Sequence, residues 1–260
     1  MWEHRVTLKS EAEIAKIRES AHIVAQTIEH LRPLVVPGAT TAALNDAADA
    51  FITSFGARPA FKNYRVGNLV YKYATCMSRN SAVVHGLPSD EPLRDGDILS
   101  VDVGAEKDGW YGDGAYTFAV GTPKPEVKKL LDVTYESLML GVAAAKAGAR
   151  IYDISKAIQT YCESNGYSLV RDLVGHGIGQ HLHEEPQVPN FVPSRIDRGF
   201  KNIELKEGMT LAIEPMVNIG GWKVRTLSDG WTIVTADGKP SAHFEHTIVV
   251  RPNGGEILTQ

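Results

Sequence analysis

Apolar residues fall at Ile14, Ile17, Ala21, Val24, Ile28 and Leu31. Spacings of three and four residues line one face of a helix and predict that this face is buried. Ser10 followed by Glu13 fits a capping box that starts the helix, and Pro33 with Pro37-Gly38 stops it. A second helix is predicted from about Thr41 to Phe55, ending at Gly56. Pro125 suits the first turn of a third, which reaches about Ala147 and closes at Gly148. A fourth runs from about Asp153 to Asn165 and ends at Gly166. Strand-like runs lie between and after these helices: Ile98–Val103, Tyr111–Val120, Thr210–Ile213, Trp231–Ala236 and His243–Val250.

The pattern contains a weak internal repeat. The run from Leu93 to Asp102 (LRDGDILSVD) reads in register with the run from Leu205 to Glu214 (LKEGMTLAIE), offset by 112. Gly38-Ala39 with Leu44, Ala47 and Phe51 matches Gly148-Ala149 with Ile154, Ala157 and Tyr161, offset by 110. Amphipathic segments can resemble one another by chance, but two matches at nearly equal offsets favour a duplication. Two helix-then-strand units would pack about a pseudo-twofold axis, in halves of roughly 1–120 and 121–260. Asp102 and Glu214 then hold equivalent places, each an acid ending an apolar strand. No low-complexity linker divides the chain, so 260 residues are expected to form a single domain.

Composition narrows the class. With 27 basic and 31 acidic side chains the net charge is −4, which argues against a nucleic-acid-binding face. A hydrophobic content of 43% is that of a folded globular chain. The longest largely apolar run, Leu138 to Ala145, is too short to span a membrane, and the start Met1-Trp2-Glu3 has no signal-like apolar stretch. Two cysteines, Cys76 and Cys162, make no disulfide framework. The expectation is a soluble cytoplasmic protein.

Phosphate loops, nucleophile elbows and zinc helices are absent, and Gln180 sits where a dinucleotide fingerprint beginning at Gly175 needs its third glycine. What remains is acids inside apolar strands. In Leu99–Val103 the odd positions form one buried face, leaving Asp102 on the other beside Ser100 and Gly104. Lys107-Asp108-Gly109 reads as a turn, and a hairpin centred between residues 107 and 108 sets Asp102 directly opposite Asp113. A shift of one residue makes them diagonal neighbours. By itself the pair reads equally well as two solvent-facing acids on an edge hairpin or as two carboxylates around a cation. Glu214 ends the third strand and Glu245 lies in another. His176 sits between two glycines, where a backbone without side-chain bulk can carry the imidazole close to another element, although a turn is the commoner use of such a sequence. Four acids and one histidine have the composition of a two-metal hydrolytic site, with Mn, Fe(II), Co or Zn favoured by these donors.

These residues sit in a series of motifs: Val84-His85-Gly86, Ser100 to Gly104 (SVDVG), Gly112-Asp113, Gly175 to Gly179 (GHGIG), His183 to Pro186 (HEEP), Ala212 to Met216 (AIEPM) and Phe244 to Thr247 (FEHT). In this order, over nearly the whole chain, they closely resemble the type I methionine aminopeptidases. The resemblance implies the pita-bread fold, an α/β (α+β) architecture of two pseudo-symmetric halves with antiparallel sheet and flanking helices. It implies two divalent ions held by Asp102, Asp113, His176, Glu214 and Glu245, with Asp113 and Glu245 bridging. His85 and His183 fall at the substrate-contacting histidines; alone, His183 with Glu184 and Glu185 reads as a solvated charged loop and His85 as a plain loop residue before Gly86. Glu214 resembles the residue assigned to pass a proton to the leaving amine, a role in tension with metal ligation. Tyr64, Cys76 and Trp231, with Leu182 and Phe61 nearby, correspond to the methionine pocket, where sulfur–aromatic contacts suit a thioether; individually each reads as core.

The implied activity is removal of the initiator methionine from nascent chains when the second residue is small. The implied enzyme is a monomer that meets N-terminal Met peptides and, transiently, the ribosome. Two rivals are a prolidase-like pita-bread peptidase and a non-catalytic pita-bread binding protein. Two departures stand out. The stretch from Arg65 to Thr75 is about five residues longer than the family's usual link, and Gly114 replaces the Ser that follows the bridging aspartate in many relatives.

Overall fold

A computed structural model describes residues 6–194 and 199–260, so the start read from Met1 to Glu3 lies outside the described residues. Four α-helices form among the described residues: α1 (Glu11–Leu31), α2 (Thr41–Ser54), α3 (Pro125–Ala144) and α4 (Ile151–Ser164). The Ser10/Glu13 capping box is made, and every apolar residue of the α1 stripe is buried. α3 stops at Ala144, three residues short of the expected end, because the following chain pairs with the sheet: Ala147 N donates to Arg251 O at 3.0 Å. α4 starts two residues early, with Asp153 accepting from the backbone N–H of Arg150 at 2.7 Å. No helix among the described residues is long and apolar enough to cross a membrane.

One nine-stranded antiparallel sheet runs through the molecule. Its strands are β1 (Arg58–Pro59), β2 (Thr75–Arg79), β3 (Ile98–Lys107), β4 (Trp110–Ala119), β5 (Gly175–Gly177), β6 (Glu184–Val188), β7 (Thr210–Ile213), β8 (Glu245–Arg251) and β9 (Gly254–Ile257). Across the sheet the order is β1-β3-β4-β8-β7-β5-β6, with β2 also on β3 and β9 also on β8. The duplicated sequence runs therefore lie on β3 and β7, flanking the central pair β4 and β8. Leu99, Val101, Val103 and Phe118 pack with residues of α1 and α2, while Leu211, Ile213, Ile248 and Val250 pack with residues of α3 and α4. Helices thus cover one face of the sheet, and the other face is left for chemistry.

Close helix contact at the centre depends on glycine. A Cβ on Gly112 would stand 2.4 Å from the backbone nitrogen of Ala21 in α1. At Gly114 a Cβ would meet Val24 of α1 at 3.1 Å.

Two expected strands are cut short. The run expected over Trp231–Ala236 is a strand only at Ile233–Thr235, because Asp229 Oδ1 accepts from the backbone N–H groups of Trp231 and Thr232 and holds them in a turn. The run expected over His243–Val250 is broken at Phe244. Ser241–His243 pairs with Met216–Asn218 in a separate small sheet, and only β8 joins the large one.

Candidate metal centre and pocket

The β3–β4 hairpin turns at Asp108-Gly109, both with positive φ (53° and 82°), which is the geometry of a tight two-residue turn. The register is therefore one residue off the expected centre. Asp102 faces Ala115 and Asp113 faces Gly104, so the two aspartates are diagonal neighbours rather than directly opposed. Neither lies on a solvent-facing edge: Asp102 is 8% exposed and Asp113 4%. Buried acids need partners or a cation.

The sheet registers assemble the rest. Cys76, Asp102, Ala115 and Glu245 lie in one row across β2, β3, β4 and β8. Asp113, two residues before Ala115, shares that face. On the far side His176 of β5 faces Ala212 of β7, and Glu214 stands two residues beyond Ala212. Thr247 ties the central strands together, with its hydroxyl donating to Asp113 O (2.7 Å) and accepting from Asp113 N (3.0 Å). The two glycines around His176 are required by contact. A Cβ at Gly175 would stand 2.4 Å from Ala212 O, and one at Gly177 would stand 2.3 Å from Glu185 O. The imidazole is thereby carried into the sheet, not out on a turn.

One ligand atom each from Asp113, His176 and Glu245 lies within 4.8 Å of the others. His176 Nε2 is 3.9 Å from Asp113 Oδ2 and 3.7 Å from Glu214 Oε1. These separations are too long for hydrogen bonds and suit donors converging on one ion. His176 Nδ1 lies 2.8 Å from the carbonyl of Gly177, so the ring proton sits there and the Nε2 lone pair faces the acids, the arrangement usual for a ligating histidine. Asp102 Oδ1 and Glu245 Oε1 are buried without a hydrogen-bond partner among the described residues.

Electrostatics point the same way. Burial pushes the Asp102 carboxyl up to about 7. Asp113 is raised well above the carboxylate range by burial and then by the charges of Asp102 and Glu214. Glu214 and Glu245 are raised by burial and then by neighbouring acids. Four such groups cannot all ionise together without cationic charge between them. Burial holds the His176 and His85 imidazoles down to about 4, hence neutral at physiological pH.

Beside the acids lies a cavity of about 220 Å³, bounded by Phe61, Tyr64, Cys76, Leu182 and Trp231 as well as the five acid and imidazole donors. Both candidate substrate histidines open onto it. His85 has φ 58°, an uncommon conformation for a side chain larger than glycine, and Gly86 behind it is packed so tightly that a Cβ would meet Met77 O at 2.3 Å. His183 lies 3.0 Å through Nδ1 from the Tyr64 hydroxyl, with its ring 4.4 Å from that of His176. Its neighbour Glu184 is not on a solvated loop but is buried and ion-paired to Lys9.

All twelve site residues read from the sequence meet in this one place. Three residues join them that sequence reasoning did not single out. Val66 and Tyr71 also line the cavity. They come from the 65–75 stretch, which folds into a small hairpin pairing Arg65–Val66 with Leu69–Val70. Tyr71 braces the wall by donating to the carbonyls of Thr75 (3.1 Å) and Gly86 (3.0 Å). The third is His243, whose Nε2 lies 3.7 Å from Glu214 Oε2. Its spacing of two from Glu245 was the one available signal.

Comparison with known proteins gives a consistent result. The sequence model of metallopeptidase family M24 matches residues 15–252. Methionine aminopeptidase 1 of Bacillus subtilis is 47% identical over 98% of this chain and 99% of its own. The methionine aminopeptidase of Clostridium perfringens is 48% identical over 98% of each chain. Among solved structures, methionine aminopeptidase from Thermotoga maritima superposes with a TM-score of 0.92 at 44% identity, over 98% of this chain and 100% of that one. The prolidase of Pyrococcus horikoshii reaches 0.77 at 23% identity, over 97% of this chain but 63% of its own. That last likeness speaks for the shared pita-bread fold alone.

Proposed function

Because the chain belongs to metallopeptidase family M24, and within it to the methionine aminopeptidases, we propose that the Asp102–Glu245 cluster is its catalytic metal centre and that the chain forms one catalytic domain of two like halves. The reaction is hydrolytic release of an N-terminal methionine with the aid of a divalent metal. The carrying observation is that three buried acids, the partly buried Glu214 and a neutral imidazole converge beside an apolar cavity sized for one side chain.

The donors suit two ions, of Co, Mn, Fe or Zn. Strand order supports the division among them. Asp113 and Glu245, from the central strands β4 and β8, would be shared between the ions, and Asp102 of β3 on one side and His176 of β5 with Glu214 just past β7 on the other would each hold one. When bound, such ions polarise a carbonyl and lower the pKa of water towards neutrality.

The chain's own residues do the remainder. Phe61, Tyr64, Cys76, Leu182 and Trp231 receive the methionine side chain and exclude water from it. The Tyr64 hydroxyl, donating to Nδ1 of His183, leaves the ring proton on Nε2, from which His183 donates to the oxygen that gains charge as the scissile carbonyl is attacked. His85, neutral through burial, holds the amide from the opposite wall. Glu214 passes a proton to the departing amine. The residue after methionine lies against the acid floor, where only a small side chain fits.

The reading extends to a cytoplasmic monomer acting on nascent chains, transiently at the ribosome. Its cytoplasmic part is supported by the two buried thiols of Cys76 and Cys162, unpaired as in a reducing compartment. The test is a peptide panel with metal analysis of the purified protein. Met-Gly, Met-Ala and Met-Ser peptides should be cleaved; Met-Trp, Met-Glu and Ala-Pro should not. Faster turnover of Ala-Pro than of Met-Ala-Ser would assign the site to the prolidase-like chemistry.

A further inference from the structure

His243 is 1% exposed, and neither ring nitrogen has a hydrogen-bond partner among the described residues. A neutral imidazole always carries one N–H, so this is a buried donor with nothing to receive its proton, an arrangement that costs stability. The backbone is not free to relieve it. Thr117 pins the residue from both sides, donating to His243 O at 2.6 Å and accepting from His243 N at 2.9 Å, and Ser100 in turn lies 2.8 Å from the Thr117 hydroxyl. The ring is thereby aimed at two acids, with Nε2 3.7 Å from Glu214 Oε2 and 3.9 Å from Glu245 Oε2.

Glu214 thus stands between two imidazoles, one for each oxygen. Oε1 faces His176 and Oε2 faces His243, both at 3.7 Å. The two rings are not equivalent. His176 has spent its proton on the Gly177 carbonyl and offers a lone pair, whereas His243 has made no such bond and retains an N–H to give. A carboxylate that binds an ion through one oxygen is commonly held by a hydrogen bond to the other. Resting on the metal-centre reading above, we propose that His243 is a positioning residue of that centre: its Nε2–H, at 3.7 Å still beyond hydrogen-bond reach of Glu214 Oε2, closes on that oxygen when an ion is held and fixes the carboxylate with Oε1 turned towards His176 and the ion.

The test compares His243→Leu, which fills the space without a donor, with His243→Gln, whose side-chain amide can offer an N–H at similar reach. Dissociation constants for Mn(II) are measured by calorimetry on chelator-stripped protein, with circular dichroism and thermal melts as checks on folding. The Leu variant should bind Mn(II) about 10- to 100-fold more weakly than the wild type, the range for losing an outer partner of a metal ligand. The Gln variant should recover to within about threefold of the wild type, a rescue that a purely structural role for the ring does not produce. Equal affinity for Leu and wild type overturns the proposal, as does a Gln variant as weak as Leu. If Leu does not fold, His243→Met takes its place in the same comparison. A wild-type protein that takes up no Mn(II) would instead refute the metal-centre reading itself, and this inference with it.

Discussion

The two halves of the chain contribute to one site in different ways. In the first, β3 and β4 are joined by a two-residue turn, and both of its acids are aspartates on adjacent strands. In the second, β7 and β8 pair just as closely but are separated by more than thirty residues of chain, the acids are glutamates, and an imidazole is added from β5. The repeat that places Asp102 and Glu214 in equivalent positions does not extend to their surroundings. Asp102 sits beside Cys76 on β2, whereas Glu214 sits between His176 and His243. A duplicated backbone supplies the symmetry of the sheet, and single side-chain differences convert it into a site with an apolar flank and an imidazole-rich flank.

The largest effect should come from the acid at the join of the halves. Glu245→Gln should leave the fold intact by circular dichroism and reduce hydrolysis of Met-Ala-Ser by more than the roughly 100-fold that loss of an outer partner costs. Near-wild-type turnover after chelation and metal refill would remove Glu245 from the bridging place. Asp102→Asn, on one side only, should weaken one ion more than the other.

Next come the two histidines of the second half. His183→Ala should lower turnover by about 10²- to 10³-fold, the scale for losing a donor to developing charge, with bound metal nearly unchanged. His176→Ala should lose metal. Equal metal content in the two variants, measured by plasma mass spectrometry, would collapse their separate roles.

A backbone test compares the glycines of the two halves. Gly177→Ala forces a Cβ against the Glu185 carbonyl and should cost about 1–3 kcal/mol in denaturant melts while displacing His176. Gly114→Ala meets only side-chain and looser contacts, at 3.1 Å and beyond, and should cost less than about 1 kcal/mol. A reversal of that order would show that the second half tolerates the shift.

The smallest effect is on pH. Burial raises the Asp102 carboxyl from 3.8 to about 7, so in ion-free protein it stays protonated where the unfolded chain has ionised. Its contribution to stability is full below about pH 4 and is lost as pH rises towards 7. Thermal midpoints of chelator-treated protein should fall over that window, and Asp102→Asn should flatten the fall. Added metal should raise the midpoint more at pH 7.5 than at pH 5, because binding displaces protons. An identical slope in wild type and Asp102→Asn would place the titration elsewhere.

Much of this was legible in one dimension. The stripe of α1, its capping box and the glycine stops of the helices depend on neighbours three or four residues apart, and the structure departs from the expected ends only where sheet pairing or a cap takes over. The Asp102–Asp113 proximity was legible because a hairpin turns sequence counting into spatial counting. It erred by one residue because the φ > 0 pair falls at Asp108-Gly109.

What the sequence alone determined was the inventory: strands with acids on one face, glycines where chains must touch, and the order of motifs. The tertiary structure decided which of these residues meet. The convergence of Glu214, Glu245 and His176, the turn of the 65–75 hairpin over the cavity and the burial of His243 all follow from pairings between segments far apart in the chain. A period of two says which face a side chain takes, but not which strand will lie beside it. That choice is made by burying the helix-facing sides of β3, β4, β7 and β8 together, and the acids on the opposite face are brought to one centre as a consequence.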